Sequence, residues 1–250
     1  MNHWLRGGCS PRVGTEMLQR FLWKLLPKQQ RAFLLGRLSV RDRQVVNKAM
    51  SGNVHFPKAF QRRSCVFIHI PKCAGSSVCA ALFDDWMPGH LPLYWYEQQF
   101  PEQFSSSFKF TFVRDPLERA YSAYAFLRGN ELGERDRRSQ ALVRHYRDFD
   151  DFIGRWLHPE NVQKQLHFAP QTDFMVDSMG HMAMDFVGYQ EHLDRDFQVL
   201  CEQLGVVSSL PHLNGSRHRQ SAPARDFCSV RTRRLVRQVY QRDYEMLGYE

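Results

Sequence analysis

Lys72 stands three residues before Gly75, and Ser76 and Ser77 follow directly. A full positive charge beside a run of small residues (Ala74, Gly75, Ser76, Ser77) suits an anion. The small side chains let backbone N–H groups approach it, and the lysine adds charge. A second constellation pairs Arg114 with Ser122, an arginine fork and a hydroxyl of the kind that hold a phosphate. A third group is His90, set between Pro88-Gly89 and Leu91-Pro92. Histidine moves protons near neutral pH, and the prolines and glycine make residues 86–96 a loop that can carry it to a substrate.

Each of these groups needs an element to position it. Cys65 to Ile70 is a nearly continuous apolar run rich in β-branched and aromatic residues, as expected of a parallel strand covered on both faces. Pro71 ends its ladder, and Ser76 is the expected N-cap of a helix over 78–83. The phosphate-binding set is therefore Pro71, Lys72, Cys73, Ala74, Gly75, Ser76 and Ser77. Phe108 to Val113 reads as a second strand. Asp115, Pro116 and Glu118 then stand in N-cap, N1 and N3 order, which fixes a helix start that Gly129 terminates. Arg114 thus falls at the carboxyl end of a strand, where open α/β sheets bind ligands, with Ser122 in the following helix. Two strands that each feed a helix predict an α/β fold of three layers, with a mostly parallel central sheet flanked by helices.

The first turn is not a Walker A loop, because its lysine precedes the glycine and no leading glycine stands at the required offset. The order Pro71-Lys72-x-x-Gly75-Ser76-Ser77 resembles instead the 5′-phosphosulfate loop of sulfotransferases. Val113-Arg114-Asp115-Pro116-x-x-Arg119-x-x-Ser122-x-Tyr124 is similar to their 3′-phosphate-binding segment. Further similar segments are His167-Phe168-Ala169-Pro170-Gln171, Phe186 to Leu193 with Asp196-Phe197, and Tyr240 to Tyr249. Together they resemble the carbohydrate-type (family 2) sulfotransferases over residues 64–249, with Cys73 where threonine is common and Ser76-Ser77 where Thr-Ser is usual.

The resemblance implies a P-loop NTPase-like sulfotransferase fold. It implies 3′-phosphoadenosine 5′-phosphosulfate as co-substrate, no metal, and transfer of the sulfuryl group to a carbohydrate hydroxyl by in-line displacement. Lys72 would stabilise the leaving phosphate oxygen, Arg114 and Ser122 would hold the 3′-phosphate, and Arg217 and Arg219 in the basic loop 213–219 would close over the nucleotide. His90 is the expected general base: it lies where some carbohydrate 2-O-sulfotransferases carry a catalytic histidine, and it needs no tuning to work near neutral pH. His69 is placed in the buried strand and is expected to be packed. His167, Glu97 and Asp84 are the remaining alternatives.

The chain carries a formal net charge of +8, with 43% apolar and 24% charged residues. Such a balance favours anionic ligands without fixing the fold. Nucleic acid would satisfy the charge, yet no helix-turn-helix, zinc-finger or aromatic-basic RNA motif is present. An anionic carbohydrate acceptor is the expected partner, with Arg137, Arg138, Arg217 and Arg219 as contacts. The rivals are a non-catalytic protein that binds nucleotide or sulfated glycan, and a basic nucleic-acid-binding protein. The sequence does not specify the oligomeric state. Six cysteines without a CxxC pair are expected reduced. For Cys73, packing is favoured over reactivity at the helix start.

The expected organisation is a disordered tail at 1–16, an amphipathic helical extension at 17–60 and the sulfotransferase domain at 61–250. The apolar run Phe21 to Leu26 is interrupted by Lys24 and closed by Pro27-Lys28. It is too short to span a bilayer, and no cleavage signal follows it. Cytoplasmic location is the expectation. The N-terminal helices are expected to pack on the domain, with contact to a membrane as the alternative. Downstream, a short amphipathic helix is expected from Phe149 to Leu157, a core helix from Asp194 to Leu204 ended by Gly205, and a final helix from Ser229 to Met246.

Overall fold

A computed structural model describes residues 20–52, 54–129, 132–211 and 223–250. Helices α1 (Lys28–Gly36), α2 (Val40–Met50) and α3 (Lys58–Arg63) precede strand β1 (Cys65–Ile68). Helices α4 (Gly75–Phe83), α5 (Leu93–Gln99) and α6 (Pro101–Ser106) connect β1 to β2 (Phe108–Val113). Helices α7 (Pro116–Arg128), α8 (Arg137–Arg144) and α9 (Phe149–Trp156) lie between β2 and β3 (Phe186–Tyr189), and α10 (Leu193–Leu204), α11 (Val230–Val239) and α12 (Gln241–Leu247) follow. Single-turn segments occur at Pro159–Val162, Thr172–Met175 and Ala224–Phe227.

The three strands form one parallel sheet in the order β1-β2-β3. Cys65 pairs with Phe108 and Ile68 with Thr111, while Phe110 pairs with Phe186 and Val113 with Tyr189. Parallel pairing requires a crossover between neighbouring strands, and the helices meet that requirement while covering the sheet. The result is the α/β architecture expected from the sequence. All four residues of β1 are buried, as its continuous apolar run requires.

Two hydrophobic cores divide the interior. The first gathers β1, β2 and the inner faces of α4, α5 and α10, including Phe67, Phe110, Val78, Trp95 and Phe197. The second is helical, built from Leu117, Tyr124 and Leu127 of α7 against Phe152, Val236 and Tyr240. Burying one such large side chain contributes about 1.5–3 kcal/mol. Val113 belongs to the first core and Leu117, four residues later, to the second. The turn after β2 therefore crosses from one core to the other and is anchored on both sides.

Several local expectations need correction. Helix α4 starts at Gly75, capped by Ala74 in the left-handed region, so Ser76 is an exposed first-turn residue and not the N-cap. Within the expected loop 86–96, residues from Leu93 onward are helical, because Trp95 and Tyr96 become fully packed there. The final helix is broken at Tyr240 (φ −104, ψ 27). The Tyr240 ring is buried and its hydroxyl donates to the Phe168 carbonyl at 2.7 Å, a tertiary constraint outweighing local helix continuity. The N-terminal region divides: α2 packs Val40, Val45 and Ala49 against the first core, whereas α1 buries no residue. The expected tail at 1–16 and the loop carrying Arg217 and Arg219 lie outside the described residues.

Candidate active site at the ends of the first two strands

The turn after β1 has an uncommon backbone. Lys72 and Ala74 both adopt positive φ, 71° and 59° respectively, in a region that non-glycine residues enter at a cost. Alternation of that kind turns successive amides toward one side and makes an anion-binding concavity. The amides of Ser77 and Val78 turn back to the Ala74 carbonyl, at 3.1 and 3.3 Å. Those of Gly75 and Ser76 precede any possible intrahelical acceptor and face outward with the positive end of the α4 dipole. Gly75 is required on steric grounds, since a Cβ there would collide with the His69 ring.

Lys72 is half-buried, and its ammonium lies 4.1 Å from the centre of the Phe126 ring on α7. Burial, reinforced by the nearby Arg114 guanidinium, lowers its pKa to about 8. A cation held at that cost is poised for an anion. Cys73 points the other way. Its side chain is buried, its thiol donates to Gln171 Oε1 at 3.2 Å, and burial pushes its pKa up to about 12. The space-filling reading of Cys73 holds, and only its backbone is available to an anion.

Arg114 leaves the end of β2 with its Nε buried and without a hydrogen-bond partner among the described residues. Its Nη2 lies 3.9 Å from Glu118 Oε2. An orphaned guanidinium donor of this kind fits a phosphate oxygen. Asp115 caps α7 as expected by accepting from the Glu118 amide at 2.9 Å. Its own amide donates to Glu191 Oε1 at 2.7 Å, where the capping-box sequence would have used Glu118. Ser122 is half-buried on α7, two turns beyond Asp115.

His90 reaches the same turn from the loop before α5. Its Nδ1 is 2.7 Å from the His69 carbonyl, and the two imidazole rings are 4.4 Å apart. A carbonyl can only accept, so Nδ1 carries the proton and Nε2 is the basic nitrogen. His69 is packed as expected: it is buried, stacks on Phe67 at 5.7 Å, and is held neutral with a pKa lowered to about 3 by burial and by His90. The alternative bases serve other contacts. Glu97 accepts from the Ser178 amide at 2.7 Å, and Asp84 is highly exposed beside Arg62 at 3.7 Å. His167 is buried, directs Nε2 to Asp136 at 3.1 Å, and packs on Phe126 at 5.3 Å. Phe126 is thus in contact with both Lys72 and His167.

The residue that ties these pieces together was missed as a site residue. Gln171 is fully buried, and its Oε1 accepts from both the Cys73 thiol and, at 3.0 Å, the Arg114 amide. Its Nε2 donates to the Arg114 carbonyl at 2.8 Å. Asp243 of α12, also fully buried, fixes Gln171 by accepting from its amide at 2.8 Å and from the Thr172 amide and hydroxyl. Arg119, again fully buried, donates to the carbonyls of His167 and Ala169 and so secures the approach to Gln171. Both Gln171 and Asp243 stand in segments singled out in the sequence, but a neutral amide announces no chemistry until its partners are known. Arg137 and Arg138 begin α8, and Arg217 and Arg219 lie outside the described residues.

A family model described as "Sulfotransferase family" matches residues 59–250, which include both strand-end turns and the Gln171–Asp243 network. No curated protein and no solved structure gives a significant match.

Proposed function

From the premise that the chain belongs to the sulfotransferase family, we propose that it transfers a sulfuryl group from 3′-phosphoadenosine 5′-phosphosulfate to a hydroxyl of an anionic carbohydrate. The observation that carries the donor assignment is the pair of cationic strand-end turns joined by Gln171. Lys72 with the outward α4 amides suits the phosphosulfate, and Arg114 with its orphaned Nε suits the 3′-phosphate. Pro71, Ala74, Ser76 and Ser77 shape the first cradle, Cys73 serves it through backbone alone, and Ser122 completes the second. Arg217 and Arg219 remain candidate nucleotide contacts.

In this reading the acceptor hydroxyl gives its proton to His90 Nε2 as its oxygen attacks sulfur in line. The bond between sulfur and the bridging oxygen breaks, and adenosine 3′,5′-bisphosphate leaves with the negative charge. Lys72 and the α4 amides stabilise that charge as it develops, in the manner of an oxyanion hole. The carbonyl of His69 sets the His90 tautomer that the step requires. The roles need no metal, since the lysine and the helix dipole supply the positive field. We infer a cytoplasmic setting, a reading supported by five buried free thiols among the described residues.

The direct test is a screen of acceptor glycans with sulfur-labelled donor, following release of the desulfated nucleotide. Labelled glycan appears if the reading holds, and binding of nucleotide without turnover across all acceptors would convert the protein to a binding module. His90→Ala should lose about 10²–10⁴ in kcat with nucleotide affinity intact, and the acidic limb of the pH profile should vanish. An unchanged pH profile would transfer the role to another base.

A further inference from the structure

The N-terminal segment before α2 differs from the rest of the surface. Among the described residues, large exposed hydrophobic side chains occur at thirteen positions, and five of them (Phe21, Leu22, Leu25, Phe33 and Leu34) fall within residues 21–34. The other eight are spread from Trp86 to Met246. Single exposed apolar residues are ordinary on a protein surface, whereas such a local concentration marks an interaction face. Leu25 and Phe33 are 64% and 63% exposed, so these side chains are not seated on the domain.

The charges among them have one sign. Arg20, Lys24, Lys28, Arg31 and Arg37 occur between residues 20 and 37, and no aspartate or glutamate does. Lys24, Lys28 and Arg37 are exposed, with the Arg37 guanidinium 5.0 Å from the Phe33 ring centre. Apolar and aromatic side chains interleaved with cations are what the boundary of an anionic bilayer accepts: acyl chains take the former and headgroup phosphates the latter. A second copy of the same segment would bring like charges together. No described helix is long and apolar enough to cross a membrane, so the segment can lie on a bilayer but not span it. It also lies outside the family match.

We propose that residues 20–37 form a docking face for an anionic phospholipid surface, a property independent of the catalytic reading. The experiment is co-sedimentation of the full chain with phosphatidylcholine vesicles and with vesicles in which about one third of the lipid is phosphatidylglycerol. The anionic vesicles should bind at least about tenfold more tightly, with affinity falling as salt rises. Two double variants separate the components: Leu25→Glu with Phe33→Glu, and Lys24→Glu with Lys28→Glu. Each should weaken binding by about tenfold or more, and because all four side chains are exposed, thermal melting should stay unchanged. Equal binding to both vesicle types would overturn the proposal. So would loss in the charge variant alone, which would mean simple attraction to polyanions. A concentration-dependent dimer abolished by Leu25→Glu with Phe33→Glu would assign the face to a second copy instead.

Discussion

Lys72 carries the sharpest expectation at the scale of single residues. With its pKa lowered to about 8, the free protein holds the full ammonium below that pH and loses it above. Donor phosphates stabilise the charged form, so nucleotide binding at about pH 8.5 should take up a proton. Calorimetry in two buffers of different ionisation enthalpy measures this uptake, and Lys72→Ala should abolish it. The same substitution should cost about 10²–10³ in kcat, since the charge matters most as the leaving oxygen develops. Arg114→Ala should act chiefly on donor binding, because the 3′-phosphate proposed to meet Arg114 does not react. A Lys72→Ala protein with full kcat, beside an Arg114→Ala protein with unchanged KM, would reverse the two roles.

At the scale of elements, the proposed donor site is a joint between β1–α4 and β2–α7, and Gln171 fastens the two turns. Gln171→Met removes the bonds to Arg114 and Cys73 while keeping volume, each net bond being worth about 0.5–1.5 kcal/mol. Nucleotide affinity should fall, and should fall much less in an Arg114→Ala background, because both substitutions act on one contact. Strict additivity in that cycle would leave Gln171 with a purely structural role. Gly75→Ala tests the other half of the joint. The added methyl must displace the buried His69 ring, itself in contact with His90. A loss of about 1–3 kcal/mol in stability together with reduced kcat is the expected result, read by thermal melting and steady-state kinetics.

At the scale of the molecule, adenosine 3′,5′-bisphosphate should stabilise the folded protein by about 2.7 kcal/mol at a hundredfold excess over its Kd, with or without Mg²⁺. An unmoved melting temperature at millimolar nucleotide would remove the donor assignment. The formal net charge of +8 predicts that kcat/KM for a polyanionic acceptor falls steeply with salt. Charge-reversal at Arg137 and Arg138 should flatten that dependence. Equal activity on neutral sugars at all salt concentrations would separate the charge from catalysis.

The sequence by itself determined the parts whose causes are local. A continuous apolar run fixed β1, the aromatic-rich run Phe108 to Val113 fixed β2, the Asp115-Pro116 start fixed α7, and the small-residue turn with its lysine was legible because its residues are adjacent in the chain. Resemblance in several ordered segments supplied the family. The tertiary structure decided whatever depends on residues far apart in the chain. It ended α11 at Tyr240, whose hydroxyl bonds to Phe168, and it turned Cys73 inward to Gln171, ninety-eight positions away. It set the His90 tautomer through the His69 carbonyl, and it left Phe21, Leu22, Leu25, Phe33 and Leu34 exposed. Gln171 and Asp243 show why: a hydrogen-bonded amide and a buried carboxylate are defined by their partners, and the partners are brought together only when the two cores close around the turn.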